Sequence, residues 1–185
     1  SPTVISIGSF KTRYTDGFAI SIGGTTDLKY IIGADCLHGR FFTEQEYDSS
    51  RFVCIIDTTS AISLFGYENV VGETVEYTIN GKSYKLKIIG VMDLLSMFGS
   101  SSEDYMDQMS SMSSVLGGSS VSSCMLLVPA STASVMLDAQ ERYDTCYVMS
   151  EDPSDLDAAG NTVLNLLKAR HKNYDREDVY IVTNM

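Results

Sequence analysis

The chain has 185 residues, of which 44% are hydrophobic and 20% charged, so it has the composition of a globular protein with one domain or two small subdomains. Its 13 Lys and Arg residues stand against 24 Asp and Glu residues, which gives a net charge of −11. Because such a surface repels phosphate backbones, we expect no nucleic-acid partner.

The first part of the chain is typical of β-structure. Strands are predicted at 4–7 and 18–22, where β-branched and aromatic residues are bounded by Gly and Asp. Thr43 and Glu46 form a capping-box pattern that predicts a helix start, and the acidic residues there are interpreted as a solvated first turn.

Two further elements follow. The apolar run 52–56 predicts a strand covered on both faces, and a short helix is expected at 60–65. Residues 74–79 and 83–89 then alternate between apolar and polar side chains around Asn80-Gly81. Because Asn-Gly accepts the positive φ angles of a type I′ turn, this pattern predicts a β-hairpin.

The last third of the chain alternates between strand-like and helix-like segments. This order favours an α/β layer arrangement. The predicted elements are a strand at 124–128, a helix at 129–142, a strand at 145–149, a helix beginning near Pro153 and ending near 168–172, and a strand at 179–182.

Residues 96–123 differ in composition from the rest, because twelve of these 28 positions are Ser and four are Met. Such a segment is typical of a mobile surface loop. Flexible Met-rich surfaces often contact adaptable partners. The candidate partner-contact residues are Met97, Met106, Met109 and Met112.

The four cysteines show no CxxC spacing, so we expect no metal site. Cys54, Cys124 and Cys146 lie in strand-like runs and are interpreted as small buried residues. A disulfide between Cys124 and Cys146 is the alternative, if their two strands are neighbours.

Catalytic patterns are sparse. His38 and His171 are the two histidines, and the chain contains no GxSxG, HExxH or Walker motif. We therefore expect no catalytic residues, no cofactor and no enzyme activity. No run of apolar residues approaches the ~20 that a membrane span requires, and the first residues of the sequence show no signal-peptide pattern. We expect this chain to be a piece of a longer protein.

Six short motifs occur in an order that resembles the MacB-like, or FtsX-like, extracytoplasmic domain of ABC transporter permeases. The segments are Gly39-Arg40-Phe41-Phe42-Thr43-Glu44-Gln45-Glu46, Leu64-Phe65-Gly66, Val70-Val71-Gly72-Glu73-Thr74-Val75, Ile88-Ile89-Gly90-Val91, Leu127-Val128-Pro129 with Ser131-Thr132-Ala133, and Leu166-Leu167 through Arg170-His171 with Asp178-Val179-Tyr180-Ile181-Val182. The resemblance extends over nearly the whole chain. It implies structural roles for Gly39, Arg40, Phe41, Phe42, Leu64, Phe65, Gly66, Gly72, Gly90 and Pro129.

The resemblance implies an α+β fold in two parts. Residues 1–42 and 124–185 would form an α/β subdomain near the membrane, and 43–123 an inserted, mainly β subdomain that includes the Ser/Met-rich loop 96–123. The Ser/Met-rich loop is longer than the family's usual link, which marks it as the first place to look for a specialised partner contact.

The resemblance also implies a function. The chain would be the extracytoplasmic domain of a cell-membrane permease and would transmit ATP-driven motion to an exported substrate or an external accessory protein. ATP hydrolysis would belong to a separate cytosolic ATP-binding subunit or domain, and two permease copies would form a dimer. The alternative is a secreted or surface-attached, non-catalytic binding module for peptide or glycan.

Overall fold

The computed structural model describes residues 2–33, 35–94, 122–138, 145–146 and 156–171. The chain divides into two compact units, Ser1–Cys146 and Tyr147–Met185. The described strands are β1 (Pro2–Lys11), β2 (Asp16–Gly24), β3 (His38–Gly39), β4 (Val53–Asp57), β5 (Thr74–Ile79), β6 (Lys82–Met92), β7 (Ser122–Pro129) and β8 (Thr145–Cys146). The described helices are α1 (Leu28–Ile32), α2 (Glu44–Asp48), α3 (Thr58–Phe65), α4 (Ala130–Leu137) and α5 (Leu156–His171).

Six strands of the first unit close into a ring. β1 pairs with β2, β2 with β7, β7 with β4, β4 with β6, and β6 with β5. β5 then returns to β1, where Tyr77 lies opposite Phe10. The β2–β7 and β4–β6 pairs are parallel, and the other pairs of the ring are antiparallel. Closure gives the strands partners on both sides, which is how small barrels avoid exposed edges.

The inside of the ring holds the hydrophobic core. Tyr77 is fully buried, and its hydroxyl shares a hydrogen bond of 3.1 Å with the Ser6 hydroxyl. Aliphatic side chains fill the space around Tyr77, as alternation along each strand requires. Buried members of this core on the strands include Val4, Phe10, Cys54, Ile56, Val75, Leu86, Ile88, Cys124 and Leu126.

Helices α3 and α4 complete the core. α3 continues from β4 and buries Ala61, Leu64 and Phe65, whereas α4 continues from β7 and buries Ala133 and Met136. Because β4 and β7 are antiparallel, the two helices begin at opposite ends of the closed sheet.

The described strands do not separate at the predicted subdomain boundaries. β4, β5 and β6 come from 43–123, yet they are hydrogen-bonded into the same sheet as β1 and β2 from the N-terminal segment and β7 from 122–129. The division between compact units instead lies between Cys146 and Tyr147. The predicted α+β class is confirmed.

The hairpin prediction is confirmed. β5 and β6 are joined by Asn80 and Gly81, with φ angles of 51° and 75°, and the strands pair from Ile79–Lys82 outward. The helix predicted at 129–142 is wrong in length, because Asp138 adopts a left-handed φ of 52° and ends α4 at Leu137. The predicted strand at 179–182 lies outside the described residues.

None of the helices in the described ranges combines the length and the apolar character that crossing a bilayer requires.

Candidate functional site

The first motif residues lie where β3 pairs with β6 in antiparallel fashion, with Gly39 opposite Gly90. Gly39 has a φ of 72°, and the Arg40 amide donates to the Ile89 carbonyl oxygen at 3.0 Å. A Cβ atom on Gly39 would overlap that carbonyl oxygen, and one on Gly90 would overlap the carbonyl oxygen of Arg40. Because both glycines lack a side chain, the backbones of the two strands can approach closely just before Arg40.

Arg40 forms a two-point ion pair with Glu46. Its Nη1 and Nη2 atoms donate to Glu46 Oε2 and Oε1, both at 2.8 Å. The Thr43 amide donates to Glu46 Oε2 at 2.9 Å, and the Glu46 amide donates to the Thr43 hydroxyl at 3.2 Å. The predicted capping box is thus confirmed, but Glu46 is ion-paired and half-buried, so its assignment to a solvated first turn is wrong.

These bonds, above all those from Arg40, lower the pKa of the Glu46 carboxyl from 4.5 to about 2. A carboxyl with a lowered pKa stabilises the fold above its unfolded pKa, and the stabilisation is lost as the pH falls from 4.5 towards 2. We expect Glu46→Gln to cost about 1–2 kcal/mol of unfolding free energy at pH 7 and much less near pH 2.

Urea denaturation of the native chain and of Glu46→Gln at pH 7, 5 and 3 measures this difference. Asp48→Asn, on the exposed end of the same helix, is the matched control and should follow the native profile. A constant difference between Glu46→Gln and the native chain across this pH range would contradict the assignment.

The next two motif residues, Phe41 and Phe42, stack on each other with ring centroids 4.3 Å apart. Phe42 is buried, whereas Phe41 is partly exposed. The pair packs between the Gly39–Gly90 strand pairing and α2.

Pro129 lies at the junction of β7 and α4. The Ser131 hydroxyl donates to the Tyr47 carbonyl oxygen, and the Thr132 hydroxyl donates to the Arg51 carbonyl oxygen at 2.8 Å. The motif after Pro129 is therefore hydrogen-bonded to the chain around the end of α2.

The other motif residues of the first unit belong to α3 and the loop after it, whereas Leu166, Leu167, Arg170 and His171 belong to α5 in the second unit. Leu64 and Phe65 pack into the core, and Gly66 ends α3. The Gly72 amide donates to the Ile88 carbonyl oxygen at 2.8 Å, which holds the loop against β6. The loop also contacts β3, because His38 Nε2 lies 2.8 Å from Glu68 Oε1. The motif residues of the first unit thus form connected parts of one scaffold.

A surface feature that the sequence analysis missed lies beside this loop. We call Arg13, Tyr14, Phe65, Tyr67 and Glu73 the aromatic–charged cluster. Arg13 Nη2 donates to Glu73 Oε1 at 2.6 Å, and the Tyr67 hydroxyl donates to the same oxygen at 2.9 Å. The Arg13 guanidinium lies 4.8 Å from the Tyr14 ring centroid. Three separate segments supply these residues, so local pattern contains no signal for the cluster beyond the adjacent Arg13 and Tyr14.

An open cavity of about 320 Å³ borders the aromatic–charged cluster. Glu76 lies opposite Lys11 on one neighbouring strand and opposite Lys85 on the other. The residues that line the cavity are Lys11, Thr12, Arg13, Gly72, Glu73, Thr74, Glu76 and Lys85.

Asp57 is the one carboxylate among the described residues that is almost completely buried. Its Oδ2 accepts from the amides of Thr59 and Ser60 at 2.9 and 3.3 Å, and its Oδ1 accepts from the Leu94 amide at 3.0 Å. Burial raises the pKa of Asp57, and the three amide hydrogen bonds oppose this shift. The arrangement caps α3 and fixes the end of β6.

Cys54 and Cys124 are free, buried thiols, and burial raises the pKa of both. Since the thiolate is the reactive form, these groups are poor nucleophiles in the folded chain. The alternative of a disulfide between Cys124 and Cys146 is wrong, because β8 pairs with β1 whereas β7 lies between β2 and β4. Within the described ranges, no group of three or more potential metal ligands comes together.

The candidate partner-contact methionines, Met97, Met106, Met109 and Met112, all lie outside the described residues.

The fold is that of the extracytoplasmic domains of ABC-type transporters. The extracellular domain of the noncanonic ABC-type transporter YknZ from Gram-positive bacteria matches with a TM-score of 0.69 and 17% identity, over 99% of this chain and 79% of that one. The periplasmic region of MacB from Actinobacillus actinomycetemcomitans matches with a TM-score of 0.60 and 20% identity, over 94% of this chain and 67% of that one.

The family follows from the sequence. A family model for the MacB-like periplasmic core domain matches residues 1–166, so the chain belongs to this family and is the extracytoplasmic part of a membrane permease. The macrolide export ATP-binding/permease protein MacB of Bdellovibrio bacteriovorus is 26% identical over 136 residues. That match covers 74% of this chain, which spans only 17% of the length of that relative.

Proposed function

We propose that this domain transmits motion, driven by ATP hydrolysis in a separate cytosolic ATP-binding subunit or domain, to an exported substrate or an external partner. The observation that carries the proposal is the closed sheet in a chain of the MacB-like family. A ring of strands with a packed interior resists internal deformation, because cores at protein density transmit strain instead of absorbing it. Such a unit moves as one body when force is applied to it.

We also propose that the permease works as a dimer, so that the two domains move relative to each other. The name of the Bdellovibrio relative joins an ATP-binding part and a permease in one protein, which supports a link to ATP.

The test is distance measurement by paired spin labels in the complete permease, reconstituted with its ATP-binding component. A single label at Ser63, on the exposed side of α3, reports the distance between the two copies. Cys36 and Cys146 are replaced by Ser, and Cys54 and Cys124 stay unlabelled because they are buried. We expect the distance between copies to change by about 5 Å or more when ATP is trapped, on the scale of hinge and rigid-body motions.

Two controls make the result specific. A label pair within one domain, at Ser63 and Asp16, should change by less than about 2 Å, and a permease unable to bind ATP should show no change between copies. An unchanged distance between copies during ATP hydrolysis would contradict the proposal. A parent gene without apolar runs of ~20 residues on both sides of this chain would instead favour a secreted or surface-attached binding module.

A further inference from the structure

We propose that the aromatic–charged cluster and the cavity beside it bind an acidic sugar chain, that is, an oligosaccharide whose rings carry carboxylate groups. This inference does not rest on the proposed transmission of motion, since it concerns binding by the domain itself.

The first support is a pair of exposed aromatic rings held in fixed positions. Tyr14 and Tyr67 are 58% and 40% exposed. Both rings meet the buried Phe65 ring, at centroid distances of 6.1 and 6.3 Å and interplanar angles of 89° and 62°. Their orientation is therefore set before a ligand arrives, which lowers the entropic cost of binding. Aromatic faces carry negative charge density that attracts the polarised C–H groups of a sugar ring.

The second support is the charge beside the rings. The cavity wall contains three cations, Lys11, Arg13 and Lys85, against the two carboxylates Glu73 and Glu76, although the whole chain has a net charge of −11. Arg13 is held by Glu73, whereas Lys11 and Lys85 share Glu76 as their cross-strand neighbour. Because the single carboxylate of Glu76 balances only one of these two lysines, one positive charge is left in excess. A ligand carboxylate balances it through charge-assisted hydrogen bonds.

The third support is the chemistry of the cavity lining. The described residues that line it include no apolar side chain, so the cavity does not suit an acyl chain. Its volume of about 320 Å³ matches the lower end of small-ligand sites, about 300–1,000 Å³. A surface that offers aromatic faces beside charged and hydroxyl groups suits a ligand with apolar ring faces, hydroxyls and acidic groups. Acidic sugars combine these three properties. A simple acidic peptide has the acidic groups but would leave the aromatic faces and the hydroxyl groups of the surface unused.

The test is calorimetric titration of the full 185-residue chain with three probes: hexagalacturonate, neutral maltohexaose and poly-L-glutamate. We expect hexagalacturonate to bind, with a Kd at least fivefold lower than that of either other probe. Tyr67→Ala and Lys85→Gln should each raise this Kd at least fivefold.

Matched controls come from α1, where Tyr30 is 62% exposed and carries its own cation, Lys29, at 4.6 Å from the ring centroid. Neither residue belongs to the aromatic–charged cluster or lines the cavity, so Tyr30→Ala and Lys29→Gln should leave the Kd within twofold. Thermal melting of each variant shows whether it is folded.

Three results would overturn the proposal. Absence of hexagalacturonate binding up to millimolar concentration excludes the ligand class. Equal binding of poly-L-glutamate shows that the surface recognises charge alone, and equal binding of maltohexaose shows that the surface does not recognise the acidic groups of the sugar.

Discussion

Replacing Gly39 by Ala is expected to lower the free energy of unfolding by about 2–5 kcal/mol. A left-handed backbone costs a residue with a side chain about 1–2 kcal/mol, and Gly39 has a φ of 72°. The new methyl group would also overlap the Ile89 carbonyl oxygen. Overpacking of this kind adds about 1–3 kcal/mol, because backbone cannot move aside as a flexible side chain can.

Gly33 is the matched control for this prediction. It ends α1 with a similar φ of 63°, but a methyl group there would meet nothing within 4 Å. Gly33→Ala should therefore cost only the backbone term, about 1–2 kcal/mol. Urea denaturation of both variants measures the difference. Equal losses would show that the methyl group is accommodated between β3 and β6, and that Gly39 stabilises the fold through its φ angle alone.

Local features of this fold could be predicted from the sequence because each depends on residues close together in the chain. The Asn80-Gly81 turn and the Thr43–Glu46 capping box each involve a few consecutive positions with well-defined backbone requirements. Backbone propensity and short-range hydrogen bonding decide such features.

The closure of the sheet could not be predicted in this way. It depends on Phe10 meeting Tyr77, 67 positions along the chain, and on β7 entering between β2 and β4. No local pattern encodes these pairings, since any amphipathic strand can pair with several others. This is why the predicted separation of 43–123 from the rest failed to appear among the described strands.

The candidate site was harder still. Tyr14 and Tyr67 belong to none of the predicted elements or motifs, and only the folded chain brings them, with Glu73, to Arg13. The motif residues, in contrast, could be found because their order along the chain resembles that of a family. Resemblance identifies the scaffold, whereas the surface that distinguishes this chain appears only in three dimensions.

Replacing Asp57 by Ala is the second change with a large expected effect, about 2–4 kcal/mol. The carboxylate accepts from three amides, those of Thr59, Ser60 and Leu94. Loss of a helix cap costs about 0.5–2 kcal/mol, and a buried amide left without an acceptor costs about 1–3 kcal/mol more. The Leu94 amide accounts for most of this loss in unfolding free energy, because Leu94 is fully buried just after β6 and water does not replace the lost oxygen.

Asp57→Asn separates the cap from the charge, since its single carbonyl oxygen retains part of the hydrogen bonding. Burial raises the pKa of Asp57 above 3.8, so ionisation of this group opposes folding. The native chain should therefore lose stability from this group as the pH rises from 3.8 through the raised pKa, which is opposite in sign to Glu46.

Asn does not titrate, so the free-energy difference between the native chain and Asp57→Asn should shrink as the pH rises through that range. Urea denaturation at closely spaced pH values measures it. A difference that grows with pH would mean that the three amides outweigh burial and that the carboxylate stabilises the junction of β4, α3 and β6 most when it is charged.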